Sequence, residues 1–276
     1  MRFALVNGLP AESVSVADRG LHYGDGLFET LAVRRGAAEF TRYHIERLVR
    51  GCAVLGLPPP DARLLEREIV DSASTMREGV LKLIVTRGSA GRGYRPPPDA
   101  APTRVLLGYD FPAHPAEWSE EGVRVRVCET RLPRNRRLAG LKHLNRLDQV
   151  LARAEWSDPD VAEGLMLDDD DHVVCATSAN LFIASRGSVV TPSLGEAGIA
   201  GVMRRVLMEI AAREGIVIVE RPLALAELRD ASELMLSNSL IGLWRVREIE
   251  GRTLLEDSLW RRLRTALADC AGEPPR

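Results

Sequence analysis

A chain of 276 residues is long enough for one large domain or for two modest ones, each with its own core. The formal net charge of −2 at pH 7 gives no electrostatic reason to expect nucleic acid or an anionic membrane as a partner. With 45% hydrophobic and 28% charged residues the composition is that of a soluble globular protein, and no stretch approaches the ~20 apolar residues that span a bilayer.

The start, "MRFALVNGLPAESV", has too short an apolar run for a signal peptide. "FALVNG" reads as a strand ending at Asn7-Gly8, and "LFETLAVRRGAAEF" as strands that turn at Arg35-Gly36. In "RYHIERLVRGCAVLGL", Ile45, Leu48, Val49, Cys52 and Leu55 keep helical spacing up to Gly56. A second helix covers "DARLLEREIVDSASTM". "GVLKLIVTRG" and "TRVLLGYDF" read as strands on either side of the Gly- and Pro-rich loop "GSAGRGYRPPPDAAP". Pro112 and Pro115 mark a linker over 111–122, which separates an N-terminal α/β domain, 1–110, from a C-terminal one, 123–276.

In the second part, Val123, Val125 and Val127 share one side of a strand. Leu141, Leu144, Leu147 and Leu151, with Val150 and Ala154, have the spacing of a helix with one buried face, and Lys142 lies beside that stripe. Strands follow around the acidic turn Asp168 to Asp171, then the helix "GIAGVMRRVLMEIAAREG", which stops at Gly215. "IVIVE", a short helix at Leu225 to Leu228, "ELMLSNS" and "LWRVREIEG" come next, and "AGEPPR" reads as a frayed tail.

The arginines Arg131, Arg134, Arg136 and Arg137 lack interleaved aromatics and read as a solvated loop. Cys52, Cys128, Cys175 and Cys270 show no C-x-x-C spacing, so reduced thiols in a cytoplasmic protein are expected and a zinc site is not. Three features carry more chemistry. Gly198 and Gly201 lead a helix whose free N–H groups suit an anion, although many glycine-led helices bind nothing. Gly24, Asp25 and Gly26 make a tight turn into a strand. Ser237, Asn238 and Ser239 end a strand, either as a turn or as donors to an oxyanion. On its own segment Lys142 reads first as a solvated flank residue.

The motifs "DRGLHYGDGLFET", "HIERL", "VLKLIVTRGSAGRGY", "LAGLKHLNRLDQVLAR", "SANLF", "GIAGVMR" and "SNSL" run in order over nearly the whole chain. Together they resemble the fold-type IV pyridoxal-phosphate enzymes, the group that holds branched-chain and D-amino-acid aminotransferases. The block after the lysine and "GRGY" lean towards a lyase of that group. The resemblance implies a two-domain α/β fold (α+β type), pyridoxal 5'-phosphate as cofactor, a homodimer, and a synthase that supplies the substrate. The implied reaction splits 4-amino-4-deoxychorismate into 4-aminobenzoate and pyruvate. Lys142 would be the Schiff-base lysine and proton shuttle. Arg47, Gly201, Val202 and Asn238 would hold the phosphate, and Arg92 and Tyr94 would lie near the substrate carboxylates.

One position departs from the family. Five residues before the asparagine of "NLF", where the family places a glutamate against the pyridine nitrogen, this chain has Cys175. A carboxylate about 4 Å from that nitrogen is worth ~4 kcal/mol at an effective dielectric near 20, or roughly three pKa units. A thiol supplies none of it. This weighs most against aminotransferase activity, and also leaves room for a non-catalytic relative that only binds the cofactor.

Overall fold

The computed structural model describes residues 1–185 and 187–271; the tail from Gly272 onwards lies outside the described residues. The chain divides into two compact units, Met1–Pro112 with Leu141–Asn145, and Ala113–Gly140 with Arg146–Arg276.

The first unit is built from β1 (Phe3–Val6), β2 (Leu9–Pro10), α1 (Arg19–Tyr23), β3 (Gly26–Arg34), β4 (Ala37–Ala38), α2 (Thr41–Leu55), α3 (Ala62–Ser74), β5 (Glu78–Thr86) and β6 (Thr103–Tyr109). Its six strands form one sheet in the order β2-β1-β6-β5-β3-β4, with every pair antiparallel. The hairpin from β3 to β4 turns at Arg35 and Gly36, both at positive φ, as the Arg-Gly pair suggested. Helix α2 buries Ile45, Leu48 and Cys52 and stops at Gly56, which adopts the left-handed conformation that glycine tolerates.

The second unit comprises α4 (Ala116–Glu120), β7 (Val123–Leu132), α5 (Leu147–Arg153), β8 (Val161–Asp168), β9 (Val173–Ala176), β10 (Asn180–Ser185), β11 (Ser188–Pro192), α6 (Val202–Arg213), β12 (Ile218–Arg221), a 3-10 turn (Leu225–Asp230), β13 (Glu233–Asn238), β14 (Gly242–Ile249), β15 (Arg252–Thr253) and α7 (Ser258–Ala271). Its sheet runs β12-β11-β10-β13-β14-β7-β8-β9, with β15 beside β14, and mixes parallel and antiparallel pairs. Val123 and Val125 enter its core with Leu165, Leu167, Leu181 and Leu236, and Val127 packs against it. Helix α7 was not apparent in the sequence because arginines interleave its apolar residues, yet it buries Trp260 and Leu263.

The helix expected around Lys142 is shorter than its leucine spacing suggests. Residues 142–144 instead run extended beside the start of β3: the Phe28 N–H donates to the Lys142 carbonyl at 2.9 Å, and the Leu144 N–H to the Gly26 carbonyl at 3.1 Å. Backbone pairing with a neighbouring strand overrides the periodicity, and it places this segment in the first unit, whereas the sequence reading put the lysine in the second. Helix α5 starts only at Leu147, and its buried residue is Ala152. Leu147 is 75% exposed, with Val150 and Leu151 exposed beside it, so the stripe does not face a core.

Asp61 caps α3, its carboxylate accepting from the Arg63 and Leu64 N–H groups at 3.0 Å each. Asp61→Ala is expected to cost about 1 kcal/mol of stability, measured by urea denaturation. An unchanged midpoint would show that the cap contributes nothing here.

Candidate active site

In the first unit the alternation of β3 decides which side chains meet. Leu27, Glu29, Leu31 and Val33 face the core, while Phe28 and Thr30 are half-buried on the opposite face. The Lys142 Nζ lies 4.3 Å from the Phe28 ring centroid, a cation–π contact. Lys82, which pairs with Thr30 across β5, brings its Nζ to 5.4 Å from the same ring. The chain's two lysines thus flank one phenyl group, a relation that their distance along the sequence conceals.

Glu29 is 1% exposed, and its carboxylate takes the Arg47 Nε at 2.8 Å and Nη2 at 2.5 Å. His44 Nδ1 lies 2.6 Å from the Glu29 Oε2. Burial alone would raise the Glu29 carboxyl, but Arg47 and His44 outweigh it and hold it at about 2. Burial likewise keeps His44 below its ordinary value against the pull of Glu29, so the ring is neutral at pH 7 and its Nδ1–H donates to the carboxylate. Arg47, expected at the cofactor phosphate, therefore has the edge formed by Nε and Nη2 fixed in plane by Glu29. Glu29 and His44 escaped the sequence reading. The available signal was a carboxylate on the apolar face of a strand, opposite a His and an Arg at i and i+3 of a helix's buried face.

Arg92 and Tyr94 lie on the loop between β5 and β6, and Tyr94 is 86% exposed. Both belong to a loop held by Arg19 and Tyr23 of α1.

In the second unit, Gly201 precedes α6 in extended conformation and offers no side-chain cap, and the first turn carries no acid. The first N–H groups of the helix have no intrahelical acceptor and remain aligned for an anion. A Cβ on Gly201 would sit 2.0 Å from the Asn180 Oδ1, so only glycine permits this approach. The Asn180 Nδ2 in turn donates to the Ile199 carbonyl at 2.9 Å, bracing the loop into the helix. Gly140, just before the lysine segment, exchanges backbone bonds with Gly198 (2.9 Å) and Ala200 (3.1 Å), so the chain enters that segment from the same loop.

Asn238 ends β13. Its Nδ2 donates to the Ser178 carbonyl at 3.2 Å, and its Oδ1 accepts from the Leu240 and Ile241 N–H groups. Its amide is thus built into a turn, and one Nδ2 hydrogen is already engaged. The neighbouring Ser237 hydroxyl is buried without a hydrogen-bond partner, an orphan that suits an incoming acceptor. Cys175 is buried on β9 among Cys128, Leu132, Trp156 and Met166. Burial pushes its thiol up to about 12, with Glu163 adding to the rise and Arg146 opposing it. The thiol is therefore neutral at pH 7. Glu163, also missed in the sequence, is buried on β8 and accepts from the Thr177 and Ser178 hydroxyls. Burial raises its carboxyl despite those bonds.

In the first unit a half-buried lysine is of the kind that takes an aldehyde cofactor, and in the second an uncapped glycine-led helix and an orphan hydroxyl are of the kind that takes a phosphate. With the two-sheet fold, they define an enzyme of the pyridoxal-phosphate fold type IV class. The chain belongs to the class IV amino-transferase family, whose model matches residues 26–249. It is 39% identical over 237 residues to an aminodeoxychorismate lyase of Vibrio harveyi, covering 86% of this chain and 88% of the relative. The crystal structure of 4-amino-4-deoxychorismate lyase from Pseudomonas aeruginosa superposes with a TM-score of 0.93 at 47% identity, covering 96% of this chain and 98% of that one. A hypothetical aminotransferase from Mycobacterium tuberculosis in its PLP-bound form shares the fold, with a TM-score of 0.85 at 22% identity over 98% and 99% of the two chains.

The folded Glu29 carboxyl lies at about 2 against an ordinary 4.5, so its stabilising effect is complete above pH 4.5 and is lost as pH falls towards 2. Glu29→Gln is expected to lower stability at pH 7 by ~3–5 kcal/mol, the cost of breaking a buried ion pair. It should also flatten the loss between pH 4.5 and 2. Urea midpoints at pH 7 and pH 3 measure both; parallel pH profiles for the two proteins would contradict the assignment.

Proposed function

We propose that this chain is a pyridoxal 5'-phosphate-dependent lyase that converts 4-amino-4-deoxychorismate to 4-aminobenzoate and pyruvate. The observation that carries the reading is the 47% identity and 0.93 TM-score to a lyase structure over nearly the full length of both chains. The presentation of Lys142 beside Phe28 agrees with it. Lys142 would carry the cofactor, and the N–H groups of Gly201 and Val202, with Arg47 and Asn238, would hold its phosphate. When bound, the cofactor supplies an electron sink conjugated to the amine-bearing carbon of the substrate.

The Lys142 amine then removes the proton from that carbon, and the C–O bond to the enolpyruvyl group breaks as the ring double bond forms. The departing enolate takes up a proton and leaves as pyruvate, and aromatisation drives the step. The Phe28 face favours the ammonium form of Lys142, so the proton it accepts is stabilised where it is generated. Arg92 and Tyr94 would meet the substrate carboxylates. The neutral Cys175 offers the pyridine nitrogen no anion, which matters less when aromatisation supplies the driving force than in a transamination. The enzyme would act in the cytoplasm, in folate biosynthesis, on the product of aminodeoxychorismate synthase.

Incubated with 4-amino-4-deoxychorismate, the holoenzyme should release pyruvate and 4-aminobenzoate in equal amounts. Lys142→Ala should lower that rate by ~10²–10⁴-fold, the usual contribution of a positioned general base or more. Glutamate formed from 2-oxoglutarate without pyruvate release would instead assign an aminotransferase.

The α5 face of Leu147, Val150 and Leu151, spaced i, i+3 and i+4, is proposed to be covered by a second copy of the chain in a homodimer. Leu147→Asp with Leu151→Asp should shift the sedimenting species from dimer to monomer. A dimer that persists in the double variant would place the interface elsewhere.

A further inference from the structure

The loop between β5 and β6 holds no regular strand or helix over residues 88–102; its start is held by backbone bonds of Gly88 and Ala90 to Arg19 and Ala17, and its tip by a buried side chain. Arg19, at the start of α1, is 4% exposed. Its Nε bonds the Asp25 carboxylate at 2.8 Å, its Nη1 donates to the Gly93 carbonyl at 2.9 Å, and its Nη2 to the Tyr94 carbonyl at 3.2 Å. All three guanidinium nitrogens are engaged, one by an acid and two by consecutive carbonyls of the loop tip. The same guanidinium carbon lies 4.8 Å from the Tyr23 ring centroid. The Tyr23 hydroxyl accepts the Gly93 N–H at 3.1 Å, and the Tyr23 and Tyr94 rings stand 5.4 Å apart.

The acid that neutralises Arg19 is itself fixed. Asp25 also binds Arg87 at its Oδ2 (2.7 Å) and Oδ1 (3.0 Å), and Arg87 donates to the Leu55 and Gly56 carbonyls at the end of α2. Burial would raise the Asp25 carboxyl, but Arg87 and Arg19 hold it below its ordinary value, so it stays ionised. Asp18, next to Arg19, accepts from the Gly20 N–H and the Thr86 hydroxyl, which aligns α1 with the end of β5. The chain from α2 through Arg87, Asp25 and Arg19 to the loop is continuous and largely buried.

We infer that Arg19 is a positioning residue of the active site: through Asp25 and Tyr23 it fixes the 91–94 turn and so sets where Arg92 and Tyr94 are presented to a substrate carboxylate. Planarity is what the role requires. A guanidinium reaches two successive carbonyls and a carboxylate at once in a fixed fork, whereas an ammonium is a single point charge. The inference rests on the proposal that Arg92 and Tyr94 meet the substrate, and the test separates the two.

The Arg92–Gly93 bond is a trypsin site that the clasp spans, whereas the peptide after Arg95 precedes Pro96 and resists cleavage. In the holoenzyme, Arg19→Lys should speed cleavage at Arg92–Gly93 by about tenfold or more, the size expected when charge-assisted hydrogen bonds are lost. It should raise KM for 4-amino-4-deoxychorismate by a similar factor with kcat within about threefold, and leave cofactor retention on dialysis unchanged. Tyr23→Phe, which keeps the ring and removes only the hydroxyl, should move both readouts the same way by a few-fold, and decides the matter if the lysine variant does not fold. Cleavage and KM both at wild-type values in the folded variant would overturn the inference. Faster cleavage with an unchanged KM would also overturn it, leaving the clasp a purely structural tie. Arg92→Ala is the separate check on the substrate contact: a wild-type KM there would remove that contact, while the cleavage rates still report whether Arg19 holds the loop.

Discussion

A carboxylate placed on the apolar face of a strand has to be compensated or the strand cannot be buried, and Glu29 on β3 imposes that condition on the first unit. Compensation comes from Arg47 and His44, which α2 presents from its inward face. The requirement fixes α2 against β3 in one register, because a slip of one residue would put Glu29 on the other face and bury Phe28. With Glu29 inward, Phe28 and Thr30 necessarily point outward, and the backbone of β3 at Gly26 and Phe28 is where residues 142–144 pair. The lysine segment is thus seated on a strand whose facing is set by a buried ion pair.

The second unit places its donors by a different means. At the start of α6 close backbone approach does the work, with Gly201 against the Asn180 amide and Gly140 paired to Gly198 and Ala200. Small residues and a side-chain amide leave the first N–H groups of the helix uncapped, so the field of the helix is offered to an anion rather than consumed by a capping side chain. Asn238 and Ser178 hold the adjoining strand end through each other.

In the proposed lyase the buried thiol of Cys175 would give the site its chemical character. Surrounded by apolar side chains, it remains protonated at neutral pH, and Glu163, which adds to the rise of its pKa, is itself held by two hydroxyls and pushed towards its neutral form. For the proposed reaction a neutral thiol at that place would suffice, because the product is aromatic and the gain in ring stability replaces part of the electron withdrawal that a transamination demands at each half-reaction.

Much of this was open to reading along the chain. The hairpin at Arg35-Gly36, the stop of α2 at Gly56, the inward valines of β7 and the glycine-led α6 all follow from local rules of turn chemistry, capping and periodicity, which act over a few residues and so are written in a few residues. The family was legible for the same reason, from residues at fixed places in short motifs. The tertiary structure decided what no window contains. Leucine spacing after Lys142 called for a buried helix face, but pairing with β3 drew residues 142–144 into extended backbone and left Leu147 and Leu151 outside. Glu29 with Arg47, Lys82 with Lys142 across Phe28, and Arg19 with the 91–94 turn are contacts between residues far apart in sequence. Their energies depend on burial and on distances of a few ångströms, and both are fixed only when the sheet has formed.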